Sequence, residues 1–135
     1  QKALTAIAEK DELTEWYDMF LYGTALLMAG QLVDAAEVLD TAISLQGDVS
    51  ELWTQRAVVE QEQGHPETAL RLLKVALELN PRSEIALLNV GYAYESLGRP
   101  GDARIAYSEY LRASSGKLAH VKPRRHVIEK LAATP

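Results

Sequence analysis

The side chains that most often carry chemistry are present here, but not at spacings that make a reactive site. The histidines His65, His120 and His126 are scattered. His65 lies in a turn and the other two in a basic tail, and no pair has the spacing that lets one helix face hold a metal. Ser114 and Ser115 precede Gly116 without the flanking pattern of a nucleophile elbow. Gly98 and Gly101 bracket a turn with no downstream Gly-Lys-Ser/Thr, so they do not form a phosphate loop. Carboxylates are plentiful, but most fall on helix exteriors and no two stand out as an acid–base pair. Cysteine is absent, which removes disulfides, thiolate zinc sites and cysteine nucleophiles together. These residues assign no catalytic group, no cofactor and no metal. They point to recognition instead.

Charge and size narrow the partners. The chain has 135 residues, enough for one domain with a continuous core. Apolar residues make up 47% and charged residues 24%, as in soluble globular proteins. No apolar run reaches the roughly 18 residues that would suggest a membrane span. Position 1 is Gln and no signal peptide is visible, so the sequence is read as an excised piece whose targeting information lies elsewhere. Both the cytoplasm and a bacterial periplasm stay open.

The net charge of −5 is uneven. Nine acidic residues and no Lys or Arg lie between Asp11 and Glu51. From Gly116 onward five cations face one Glu, a net of +4, so the remainder carries −9. Lys122-Pro123-Arg124-Arg125-His126 lacks interleaved aromatics and sits on an acidic body, so nucleic acid is not an expected partner. The asymmetry is either a solvated mixed surface or a means of orienting a partner or a second copy.

What must position any recognition surface is a repeat. Gly23, Ala57 and Gly91 stand 34 residues apart, as do Gly30, Gly64 and Gly98. Ala35, Ala69 and Ala103 form another such column. Leu39, Leu73 and Tyr107 form a fourth, and Ala42 matches Ala76 while Tyr110 breaks that column. A fixed period of this length with small residues at set offsets signals stacked helix-turn-helix units. The expected fold is therefore all-α, with repeats at 16–49, 50–83 and 84–117 and a capping helix within 118–135, spanning 124–133. Residues 1–15 are either an N-terminal helix or the remnant of an earlier repeat.

Within the first repeat, Trp16, Met19, Tyr22, Leu26 and Ala29 are expected to form core, and Val33, Ala36, Leu39, Ala42 and Ile43 to face inward. Helix 16–29 has almost no polar face, so either residues 1–15 or a ligand is expected to cover it. Pro66 suits a helix's first turn, and Pro81 disfavours helical geometry at Asn80. Trp53 and Leu73 are expected to fill the space between layers.

These columns resemble the tetratricopeptide repeat, whose pattern runs Trp-x2-Leu-Gly-x2-Tyr, then Ala-x3-Phe, Ala and Pro. The second unit supplies Trp53, Ala57, Ala69, Leu73, Ala76 and Pro81. The third supplies Leu87, Val90, Gly91, Tyr94, Ala103 and Tyr107. The first supplies Met19, Tyr22, Gly23, Leu26, Ala35, Leu39 and Ala42, with Gly47 at the proline position. The resemblance implies a right-handed α-solenoid of antiparallel helix pairs. It also implies a concave groove lined by the first helix of each pair.

Positions beside the core columns are then the expected partner-binding residues: Tyr17, Phe20, Thr24, Thr54, Gln55, Val58, Leu88, Asn89, Tyr92 and Glu95. Co-chaperones of this family grip an acidic chaperone tail with Lys, Asn and Arg on this wall. Here Phe20, Thr24, Gln55, Ile85 and Asn89 occupy those places, and the cations are missing. The implied partner is a protein segment with apolar side chains, held by a non-catalytic adaptor. The alternatives are a scaffold domain of a larger enzyme or of a secretion or pilus machine, and a self-assembling oligomer.

Overall fold

The computed structural model describes residues 12–133. Among them are seven α-helices and no strand. They are α1 (Glu12–Met28), α2 (Leu32–Leu45), α3 (Ser50–Glu62), α4 (Pro66–Leu79), α5 (Glu84–Ser96), α6 (Pro100–Ala113) and α7 (Val121–Ala133), with a short 3-10 turn at Leu118–His120 before α7. The period governs the boundaries. α1, α3 and α5 end at Met28, Glu62 and Ser96, and α2, α4 and α6 start at Leu32, Pro66 and Pro100. Each helix packs on the next in the chain, so the antiparallel pairs stack in layers.

Local chemistry explains the breaks. Gly30, Gly64 and Gly98 have φ of +78°, +82° and +70°, a region where a Cβ is strained. At each, two main-chain hydrogen bonds close the helix end, as in Gly64 N to Gln61 O and His65 N to Glu60 O. Pro66 and Pro100 open α4 and α6, where the missing N–H costs nothing. Ser83 accepts a hydrogen bond from Ala86 N and so caps α5.

The core comes in three joined clusters rather than one mass. Met19, Leu26, Val38 and Leu39 meet Leu52 and Val59 of the next unit. Ala57, Ala69, Leu73, Ala76 and Ala86 fill the middle. Leu87, Leu88, Tyr107, Tyr110 and Val127 close the last layer against α7. Within each pair the crossing is tight. A Cβ at Gly23 would meet Leu39 Cγ at 2.8 Å, and one at Gly91 would meet Tyr107 Cδ1 at 2.5 Å. At these two crossings the missing side chain lets the rods approach that closely.

Several sequence expectations shift. α1 already includes Glu12, ahead of Trp16, and residues 1–11 of the segment expected to form an N-terminal helix lie outside the described residues. Tyr22 and Ala29 are exposed rather than core, and Val33 is 74% exposed. The inward face of α2 is Ala35, Val38, Leu39 and Ala42, a spacing that keeps one stripe against α1. Trp53 is only partly buried, and its indole N–H donates to Gly47 O at 2.8 Å, tying down the loop before α3. The capping helix starts at Val121, three residues ahead of the expected 124, because Pro123 falls in its first turn.

Candidate functional site

The stack builds one wall from the first helix of every pair. α1 touches α3 and α3 touches α5, in addition to each helix's contact with its chain neighbours. Along that wall runs a groove of ≈ 470 Å³. Phe20 and Ile85 supply its apolar surface, Gln55, Asn80 and Ser83 its neutral polar groups, and Glu51 and Glu84 its charge. A second recess of ≈ 520 Å³ continues past Asn80 and Glu84 to Arg82, Ala113 and Lys117.

Short links hold the wall in register. Gln55 Nε2 donates to Thr24 Oγ1 at 2.9 Å, joining α3 to α1. Asn89 Nδ2 donates back to Ile85 O at 2.9 Å. Tyr17 stacks on Phe20 with ring centroids 6.2 Å apart, and Trp16 meets Tyr17 edge-on at 5.6 Å. Glu84 forms an ion pair with Lys117, so the carboxylate at that end of the groove already has a cation. Glu51 is exposed at the other end.

Of the ten residues expected on this wall, Phe20, Thr54 and Gln55 line the groove, with Thr24 hydrogen-bonded to Gln55 and Tyr17 stacked beside Phe20. Thr54 and Leu88 are 3% and 6% exposed. Thr54 Oγ1 donates to Ser50 O, so the hydroxyl at this point of the lining is already engaged, whereas Leu88 belongs to the last core cluster and supports the wall from behind. Val58 and Asn89 are half-buried. The Tyr92 ring packs edge-on against Tyr107 at 6.0 Å. Burial, then the nearby Tyr110 and Glu95, push its phenol above the ordinary value.

Glu95 faces away from the groove. It accepts from Tyr107 and pairs with Lys130 at 2.6 Å, in a recess between α5, α6 and α7. Glu51, Asn80, Ser83, Glu84 and Ile85 were not among the expected residues. A signal existed for two of them, since Tyr17, Glu51 and Ile85 form a column at the repeat spacing. Asn80 and Ser83 sit in the loop between pairs, which helical spacing does not reach.

The histidines go to separate places. His65 Nδ1 lies 2.7 Å from Glu60, which also pairs with Arg56 at 2.8 Å. Burial raises the Glu60 carboxyl, but the hydrogen bonds from His65 and Arg56 and their charges outweigh it and hold the group below its usual range. His120 is buried against Tyr110, and His126 is exposed on α7.

Comparison with known proteins agrees with this geometry. The sequence profile of the tetratricopeptide repeat matches residues 54–117. Human sperm-associated antigen 1 is 31% identical over 102 residues, 70% of this chain but only 11% of that protein's length. The Yersinia enterocolitica type III secretion chaperone SycD, solved with a peptide of the translocator YopD, superposes with a TM-score of 0.81 at 13% identity. That match covers 87% of this chain and 89% of SycD. The first TPR of Spaghetti (RPAP3), bound to an HSP90 peptide, gives a TM-score of 0.74 at 18% identity over 91% of this chain and 97% of that one.

Proposed function

From the premise that this chain is a tetratricopeptide-repeat protein, we propose that it is a non-catalytic adaptor holding a segment of a partner protein along the α1–α3–α5 wall. The observation that carries this is the groove of ≈ 470 Å³ with Phe20 and Ile85 as apolar contacts and amide and hydroxyl groups between them. Such a surface accepts an extended strand or an amphipathic helix, whose side chains occupy the apolar positions while its polar atoms meet Gln55, Asn80 and Ser83. That SycD and RPAP3 were solved with peptides lends support. The cations expected of an acidic-tail clamp are replaced here by Phe20 and Ile85, which favours an apolar segment over a chaperone tail.

The test uses peptides selected from a random display library against the folded chain. Their affinity is measured for the native chain and for the double variant Phe20→Ser and Ile85→Ser, with melting curves for both. The expected result is a folded variant that binds at least about tenfold more weakly, about 1.4 kcal/mol. Equal affinity would remove the groove as the binding site.

A further inference from the structure

The two ends of the stack differ from its middle because neither has a next layer. Inside the stack, Gln55 reaches back to Thr24 and Arg56 reaches back to Asp40 at 2.8 Å. Leu21 and Tyr22 occupy the same positions one repeat earlier, so they look out from the first layer, and both are exposed. Val33 and Asp34 are exposed at the start of α2. The first repeat holds Asp18, Asp34, Glu37, Asp40 and Asp48 and no Lys or Arg.

The other end has the reverse charge. Leu118 is 89% exposed, and Val121 and Ile128 are also exposed. They line a groove of ≈ 600 Å³ together with Arg125, Lys117 and Glu129. Arg125 and Lys122 are exposed and form no ion pair among the described residues. The chain from Gly116 onward carries +4 and the remainder −9.

We propose that a second copy of this chain docks its acidic first repeat, with Leu21 and Tyr22, onto the basic apolar face of Leu118, Val121, Ile128 and Arg125. Charge complementarity selects this occupant, and exposed apolar side chains lie on both faces. The contact is heterologous, since two different faces meet. Each added copy leaves one free face of each kind, so the assembly grows with concentration rather than closing at a dimer. The peptide groove lies on the inner wall between these ends, so assembly would place several grooves in line.

Sedimentation velocity of the full chain tests this over a range of concentrations, at about 0.01 M and about 1 M salt, where the Debye length falls from about 30 Å to about 3 Å. The native chain should associate at low salt and dissociate at high salt. A tail variant, Lys122→Glu with Arg125→Glu, and a head variant, Asp18→Lys with Asp34→Lys, should each remain monomeric alone. Mixed together they should associate, because each restores the other's complement. Ile128→Asp, at an exposed position, should abolish association without lowering the melting temperature. A native chain that is monomeric at low salt and high concentration would overturn the proposal. So would association that survives in each separate charge variant, since that would place the contact on another surface.

Discussion

The interior crossings and the C-terminal cap hold helices together in opposite ways. At Gly23, Ala57 and Gly91 the rods meet through missing or minimal side chains, with Leu39, Leu73 and Tyr107 pressed into the space. At the cap the contact is polar and specific. Tyr110 is fully buried, and its hydroxyl lies 2.9 Å from His120 Nδ1. Ser114 Oγ donates to Tyr110 O, and Arg124 donates to Ser114 Oγ at 2.8 Å and to Leu111 O. The lesson is that one packing solution is copied at every layer, whereas the end of the stack is solved once with hydrogen bonds. Tyr110 breaks the alanine column because it faces the cap and not another repeat.

The largest test of this contrast is the middle layer. Leu73→Ala removes a fully buried side chain from a cluster otherwise made largely of alanines. Chemical denaturation should show a loss of about 3 kcal/mol. A loss below about 1 kcal/mol would mean the layers are not held by this packing.

Next come the crossings themselves, where two glycines should respond differently. Gly91→Ala drives a Cβ into the Tyr107 ring, which is rigid and tied by its hydroxyl to Glu95. The expected cost is about 2 kcal/mol. Gly23→Ala meets the buried Leu39 side chain at Cγ and Cδ2, 2.8 and 2.9 Å away, but an aliphatic chain can give where a ring cannot, and alanine's better helix propensity, about 1 kcal/mol, offsets part of the strain. It should cost less than Gly91→Ala. Equal effects in the two variants would contradict the assignment of Tyr107 as the stiffer partner.

The smallest effect concerns the cap. Tyr110→Phe should cost about 1 kcal/mol by leaving His120 without its partner. Burial, then the charges of Lys117 and Arg124, hold His120 below its ordinary value of 6.5. Its contribution to stability is complete above 6.5 and is lost as pH falls through the depressed folded value, because the unfolded chain binds the proton first. The melting temperature should therefore fall from about pH 7 to about pH 5, and His120→Asn should flatten that decline. An unchanged slope would place the pH response elsewhere.

The same contrast explains what the sequence revealed. The 34-residue helix spacing, the turn glycines and the crossing columns were legible because each recurs along the chain and has a local physical cause. The start of α7 was missed because Pro123 reads as a break but is tolerated in a first turn. Tyr22 and Val33 read as core from helical spacing, yet Tyr22 lies at the open end of the stack and Val33 at a position that is exposed in all three repeats, as Glu67 and Gly101 show. On the inner wall, helical register placed Phe20, Thr54 and Gln55 at the groove. Leu88 turned to the core instead, since one helical position decides whether a side chain faces the groove or the core. Asn80 and Ser83 come from a loop, whose contribution depends on how two layers meet.

The most direct single measurement is a backbone amide NMR titration of the folded chain with a library-selected peptide. Shift changes should cluster at Phe20, Gln55, Asn80 and Ile85 and leave the outer faces of α2 and α4 unmoved. Changes confined to those outer faces, or to α7, would contradict the inner wall as the place where this protein holds its partner.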